Sequence, residues 1–176
     1  MKAEKNPIDK IRNPIHVIGT DAGGPEKLPL FLQELILSAA QIAAPKRILE
    51  VIPKWWVKST NKKPLPELFA SDQPVELIKW LKKQTNQTIV LASGDPLWYG
   101  IGRCLIESLP TNQLVFHPST SSLQLAFARL GRPWQDASWI SLHGRDSLPL
   151  AKLLQERPKS LAILTDPSRG GVEEVR

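Results

Sequence analysis

The chain has 176 residues, 41% hydrophobic and 23% charged, which is the usage of a folded globular protein and excludes a wholly disordered one. Its single cysteine excludes an internal disulfide and a cysteine-built zinc site, and fits a reducing cytoplasm. No apolar run reaches the ~18–20 residues of a membrane span, and the charged, Pro-interrupted start MKAEKNPIDKIRNP has no secretory core. The net charge of +6 favours an acidic partner, whether nucleic acid, membrane surface or polycarboxylate.

Residues 1–14 read as an N-terminal extension. The first predicted strand is IHVIG (Ile15–Gly19), followed by the loop TDAGGPEKLP. Over Pro29–Ile42, Phe31, Leu32, Leu35, Ile36 and Ala39 recur at 3–4 spacing, which predicts an amphipathic helix with Pro29 in its first turn. RILEVI (Arg47–Ile52) predicts a second strand. It lies in the basic stretch Lys46–Lys63, whose remainder reads as a solvated loop. Pro74–Gln84 predicts a second helix with Leu77, Ile78 and Leu81 on one stripe. TIVLAS (Thr88–Ser93) is apolar throughout, as a strand covered on both faces should be.

That third strand runs into GDPLWYG and the helical pattern GIGRCLIESL. Next come the strand QLVFHP (Gln113–Pro118) and the helix SSLQLAFARLG, which ends at Gly131 and Pro133 by the usual stop signals. The strand SWISLHG (Ser138–Gly144), a helix over Leu148–Glu156 and the strand SLAILTD (Ser160–Asp166) complete the alternation. Strands alternating with helices predict a largely parallel α/β sheet. After Asp166 a helix pattern opens and stops within one turn, so a continuation beyond Arg176 is expected. Without that continuation the last lobe is expected to be poorly soluble or partly unfolded, since two strands are too few for a stable sheet.

Ligands of α/β sheets bind at the carboxyl ends of the strands. Three loops there are rich in Gly, Pro, Ser and Asp: GTDAGGPEKLP, SGDPLWYG and PSTSS. Their glycines permit close backbone approach, and exposed amides at the following helix starts suit a carboxylate or phosphate. The first loop lacks the G-x-G-x-x-G spacing of a dinucleotide site, and no acid ends the second predicted strand. No Walker A loop, H-E-x-x-H or Cys/His cluster occurs, so no metal site is expected. His117 reads as a strand-end packing residue, and Trp98 and Tyr99 either stack on a ligand or anchor a helix start. Trp55 and Trp56 among lysines have the make-up of a nucleic-acid stacking platform. The stretch is short and isolated, so nucleic acid is not the expected partner.

VIGTDAGGPEKLP, LASGDPLWYGIGRCL and HPSTSSLQLAFARLGRPWQDASWISLHGR resemble successive motifs of the tetrapyrrole methylase family, from about Ile15 to Asp166. Within it, the second and third resemble the C5-methylating enzymes of cobalamin biosynthesis. The resemblance implies two α/β lobes, residues 15–118 and 119–176, with the second incomplete and S-adenosylmethionine held in the cleft between them. It implies cofactor contacts at Gly94, Asp95, Pro96, Tyr99, Ser121, Ser122, Leu142, Thr165 and Asp166. It further implies a precorrin or cobalt-precorrin substrate, faced by Asp21, Gly23, Gly24, His143 and Arg145, and a homodimer.

The first motif departs from the family pattern G-x-G-P-G-D-P: Asp21 stands at a glycine and Gly24 at the acid. Because that loop faces substrate in the family, the departure bears on substrate handling more than on cofactor binding. The implied reaction is methyl transfer to C5 of the ring, in which orientation carries most of the rate and no side-chain nucleophile is required. Two other readings stand beside it. One is another methylase of the fold, acting on RNA or diphthamide; the other is a non-catalytic module that binds S-adenosylmethionine.

Overall fold

The computed structural model describes residues 13–21, 23–60, 63–143, 148–165, 168 and 171–175. Chain contacts divide it into two compact units, the first ending at Ser121 and the second starting at Ser122.

The first unit is built on five parallel strands: β1 (Ile15–Thr20), β2 (Gln41–Ala44), β3 (Glu67–Ala70), β4 (Thr88–Ser93) and β5 (Leu114–His117), in the spatial order β3-β2-β4-β1-β5. Alternate side chains of these strands enter two separate cores. On one face Ile18, Ile42, Ile89 and Leu91 pack with α1 (Leu30–Leu37), α2 (Lys46–Leu49) and α3 (Ile52–Thr60). On the other, Val17, Ala43, Val90 and Leu114 pack with α4 (Pro74–Leu81) and α5 (Gly102–Ser108). The apolar run of β4 follows directly, since both its faces are covered.

The second predicted strand is replaced by helix, and the strand lies earlier. The helix predicted over Pro29–Ile42 stops at Leu37, and its last two residues, Gln41 and Ile42, open the fully buried strand Gln41–Ala44. Pro45 then fixes φ at −56° ahead of α2 and offers no amide to a continuing ladder. Arg47–Leu49 therefore coils in α2 and Ile52 opens α3, and Ile48 and Ile52 are both fully buried. The stretch read as a solvated loop carries α3, where Trp55 and Trp56 are buried and the Trp56 indole donates to the Lys63 carbonyl at 2.9 Å. These rings are core and present no stacking platform for a nucleic acid. Phe31, placed on the buried stripe of α1, is 62% exposed. Strand β3, absent from the sequence reading, pairs with β2 at the sheet edge.

In the second unit α6 (Ser122–Leu130) precedes β6 (Ser138–Ser141), α7 (Leu148–Gln155) and β7 (Leu161–Leu164). β6 and β7 pair in parallel, Ser138 opposite Leu161 and Ser141 opposite Leu164. Among the described residues no helix is long and apolar enough to cross a membrane.

Candidate functional site

In the first unit β1 and β4 lie side by side, yet the chain leaves them in opposite directions. From β1 it passes through α1 on one face to β2, beyond β4; from β4 it passes through α5 on the other face to β5, beyond β1. That reversal is a topological switch point, the place where open α/β sheets take ligands at the carboxyl ends of their strands.

The loops after β4 and β5 meet the tip of β1 there. The Gly94 amide donates to the Thr20 carbonyl at 2.8 Å, which ties the loop after β4 to the tip of β1. A Cβ on Gly19 would overlap the Gly94 carbonyl oxygen and come within 2.8 Å of the Ser119 Cβ. Glycine is therefore the residue that lets the loops after β4 and β5 close on β1 from both sides. Gly94 itself has φ +64°, a backbone open to glycine at little cost, and lies 3.7 Å from the Ser121 Cα if given a Cβ. Gly94 and buried Ser121 are thus brought together, with the Thr20 side chain buried beneath them.

The turn after Gly94 is held from within. Asp95 Oδ1 accepts the Leu97 amide at 2.8 Å, and the Asp95 carbonyl accepts that of Trp98 at 3.2 Å. Asp95 thus has a turn-forming role, the structural alternative to ligand contact for an acid between Gly and Pro. Pro96 is buried, and its carbonyl accepts the Gly102 amide at 2.8 Å at the start of α5. Tyr99 is exposed with φ +52°, a left-handed conformation uncommon for a non-glycine residue, and meets Trp98 edge-on at 5.1 Å between ring centres. It is not a core anchor. Ser122 is exposed at the start of α6.

The first loop is closed on itself. Asp21 Oδ1 accepts the Gly23 amide at 2.8 Å, and its other oxygen pairs with Lys27 at 3.3 Å. Gly24 has φ +72° and is buried against Val51 and Ile48, so packing accounts for it. Glu26 next in line meets Lys58 of α3 at 2.7 Å, and that ammonium holds its carboxyl below the ordinary range. Asp21 thus shapes the loop that carries it.

In the second unit, Leu142, His143 and Thr165 lie at the carboxyl ends of β6 and β7. The Leu142 amide extends the ladder to the Leu164 carbonyl at 2.8 Å, and its side chain is fully buried. His143 is exposed and Thr165 half-buried. Arg145 and Asp166 lie outside the described residues. Among the described residues no cluster of three His, Cys, Asp or Glu side chains suits a metal ion.

One group at this edge was missed in the sequence, where it was assigned to a strand. Arg47, in the first turn of α2, donates from Nη2 to the Ser93 hydroxyl at the tip of β4. Pro45 before it was the available signal, since proline commonly stands at a helix start.

The family model for Tetrapyrrole (Corrin/Porphyrin) Methylases matches residues 14–176. The chain belongs to the tetrapyrrole methylase family. It is 36% identical over 69 residues to the precorrin-6Y C(5,15)-methyltransferase [decarboxylating] of Sinorhizobium sp, covering 39% of this chain and 17% of that protein. It is 35% identical over 100 residues to the cobalt-precorrin-7 C(5)-methyltransferase of Salmonella typhimurium, covering 56% of this chain and 48% of the relative. The matches thus span less than half the length of either relative. Among solved structures, the precorrin-6Y methylase of Archaeoglobus fulgidus aligns with a TM-score of 0.57 and 22% identity over 76% of this chain and 67% of the other. A cobalt precorrin-4 methyltransferase aligns with a TM-score of 0.60 and 16% identity over 82% and 66%. Both show the tetrapyrrole methylase fold.

Proposed function

We propose that this chain belongs to an S-adenosylmethionine-dependent C-methyltransferase that methylates C5 of a precorrin or cobalt-precorrin in cobalamin biosynthesis. Family membership and the activities named for the two relatives support the reading. The observation that carries it is the closure of the loops after β4 and β5 on the tip of β1, at Gly19 and Gly94, at the switch point.

Gly94, Asp95, Pro96, Tyr99, Ser121, Ser122, Leu142, Thr165 and Asp166 are the residues assigned to the methyl donor. The side chains fit such a ligand: the serine hydroxyls suit its carboxylate and ribose, and the Asp95 carboxylate suits its ammonium. Bound S-adenosylmethionine supplies an already activated methyl group on a sulfonium. The chain's contribution is to fix the reactants in line and keep water away, which is where most of the rate arises. Asp21, Gly23, Gly24, His143 and Arg145 are assigned to the ring, whose many carboxylates suit a chain of net charge +6. A homodimer in the cytoplasm completes the proposal.

The test is direct. Calorimetric binding of S-adenosylhomocysteine, followed by transfer of label from S-adenosylmethionine to cobalt-precorrin-7, is the expected result. Binding without transfer would leave a donor-binding module, which the self-closed first loop around Asp21 favours as the second reading. No binding at millimolar ligand overturns both.

A further inference from the structure

Arg47 begins beyond the end of β2 and reaches over the sheet's carboxyl edge to the tip of the adjacent strand, where its guanidinium donates to the Ser93 hydroxyl. The next residue, Gly94, is where the loop after β4 meets the tip of β1 and the loop after β5. The bond joins two exposed side chains and places the head group beside the switch point without neutralising it, because a hydroxyl carries no charge. A guanidinium has five N–H donors in a planar fork shaped for a carboxylate, and this bond occupies one of them.

The acids at this edge are held elsewhere. Asp21 accepts the Gly23 amide and pairs with Lys27, Asp72 accepts the Lys46 amide at 3.1 Å, and Asp95 accepts the Leu97 amide. Among the described residues no carboxylate forms an ion pair with Arg47. An oriented, unneutralised guanidinium at the ligand-binding edge of a parallel sheet is a receptor for an anion of matching fork geometry.

We propose that Arg47, positioned by Ser93, is a specificity residue that binds a carboxylate of a ligand of this site. The inference rests on the methyltransferase reading, which supplies two carriers of that group: the amino-acid end of the methyl donor and the acid side chains of the ring. Arg47 takes no part in bond making; it selects and orients.

The experiment compares the wild-type chain with Arg47→Gln and Arg47→Lys by titration calorimetry. For the donor arm the probes are S-adenosylhomocysteine and 5′-methylthioadenosine, which lacks the carboxylate. For the ring arm they are uroporphyrin and its methyl ester. Arg47→Gln is expected to weaken the carboxylate-bearing probe of one arm by about tenfold or more, the scale of a lost charge-assisted bond. It should leave the carboxylate-free probe of that arm unchanged, and the arm that responds names the source. Arg47→Lys should recover part of the affinity, since it restores charge but not the fork. An equal melting temperature in all three proteins excludes a folding effect. Wild type binding while Arg47→Gln binds every probe equally well overturns this inference alone. Wild type binding no probe at all overturns the methyltransferase reading and this inference with it.

Discussion

His16 Nδ1 and His117 Nε2 lie 3.0 Å apart across the neighbouring strands β1 and β5, on the sheet face that also carries Ile18. Their ring centres are 5.3 Å apart with planes 24° from parallel. That separation is the nitrogen–nitrogen distance plus two ring radii, so the imidazoles meet edge to edge along one N–H···N bond. One ring donates and the other accepts, which both do when neutral. Burial holds both below the ordinary histidine range, and His16 is lowered further by the charge that His117 acquires. The sequence reading of His117 as a packing residue at a strand end is what the structure shows, with His16 as its partner.

This pair makes the fold acid-sensitive in a defined window. The unfolded chain takes up protons at the ordinary histidine value of about 6.5, and the folded pair only below it. The pair's contribution to stability is therefore fully present above about pH 6.5 and is lost as pH falls through that value toward the folded pKa. Melting temperature is expected to drop between pH 7.5 and pH 5.5, above the range where carboxylates titrate. In His16→Asn with His117→Gln, whose amides bond without titrating, the drop should be smaller. Parallel curves for the two proteins would show that the pair contributes nothing.

The contact between Gly19 and the Gly94 carbonyl gives the second prediction. In Gly19→Ala the new methyl group meets backbone on one side and Ser119 on the other, so neither neighbour can swing away. Overpacking of this kind costs about 1–3 kcal/mol. The variant should melt lower and lose S-adenosylhomocysteine affinity, because the loops after β4 and β5 are wedged apart. Gly131→Ala is the control: φ is +61° there, but nothing lies within 4 Å, so only backbone strain is added. It should leave binding intact.

The sheet, its parallel sense and the three Gly- and Ser-rich loops at one edge were legible because β1, β4 and β5 are short, mostly apolar runs followed by turn residues. What failed was local. Gln41–Ala44 is four residues long and alanine-rich, without the β-branched run that marks a strand, and it directly follows a helical period. Arg47–Ile52 is as apolar as a strand, and its helical state is set by Pro45 and by the core that receives Ile48 and Ile52. Strand β3 is only half-buried and Pro-flanked, which hides an edge strand. Arg47 was lost with the helix that positions it. The convergence at Gly94 needed the strand order, which no local pattern encodes.

Buried polar contacts away from the site yield a prediction about stability alone. Gln41 is buried at the start of β2; its amide nitrogen donates to Glu67 at 2.9 Å and to Gln84 at 2.6 Å, and its oxygen accepts the Thr88 hydroxyl at 3.1 Å. One side chain thus joins β2, β3 and β4 at the amino edge of the sheet, opposite the candidate site. Gln41→Ala removes all three of these bonds, while the Thr88 hydroxyl keeps the Asn86 carbonyl as an acceptor at 3.0 Å. The loss is that of the hydrogen bonds alone, about 1–3 kcal/mol. Chemical denaturation should show that loss while S-adenosylhomocysteine affinity stays at the wild-type value. Reduced affinity would mean that the two edges of the sheet are coupled.

Asp95 has two roles to separate, a turn former seen in the structure and a proposed contact to the methyl donor. Its Oδ1 bond to the Leu97 amide needs only an oxygen at that position, which asparagine also supplies. Asp95→Asn should therefore fold with a melting temperature close to wild type, whereas Asp95→Ala should lose about 1 kcal/mol with the turn bond. The charge behaves differently. If the carboxylate also binds the cationic end of the donor, both variants lose affinity for S-adenosylhomocysteine by a similar factor, about tenfold on the scale of a charge-assisted bond. That parallel loss is the expected outcome. Wild-type affinity in Asp95→Asn together with weakened binding in Asp95→Ala would instead confine Asp95 to shaping the turn after Gly94, and would leave the donor's ammonium to another group.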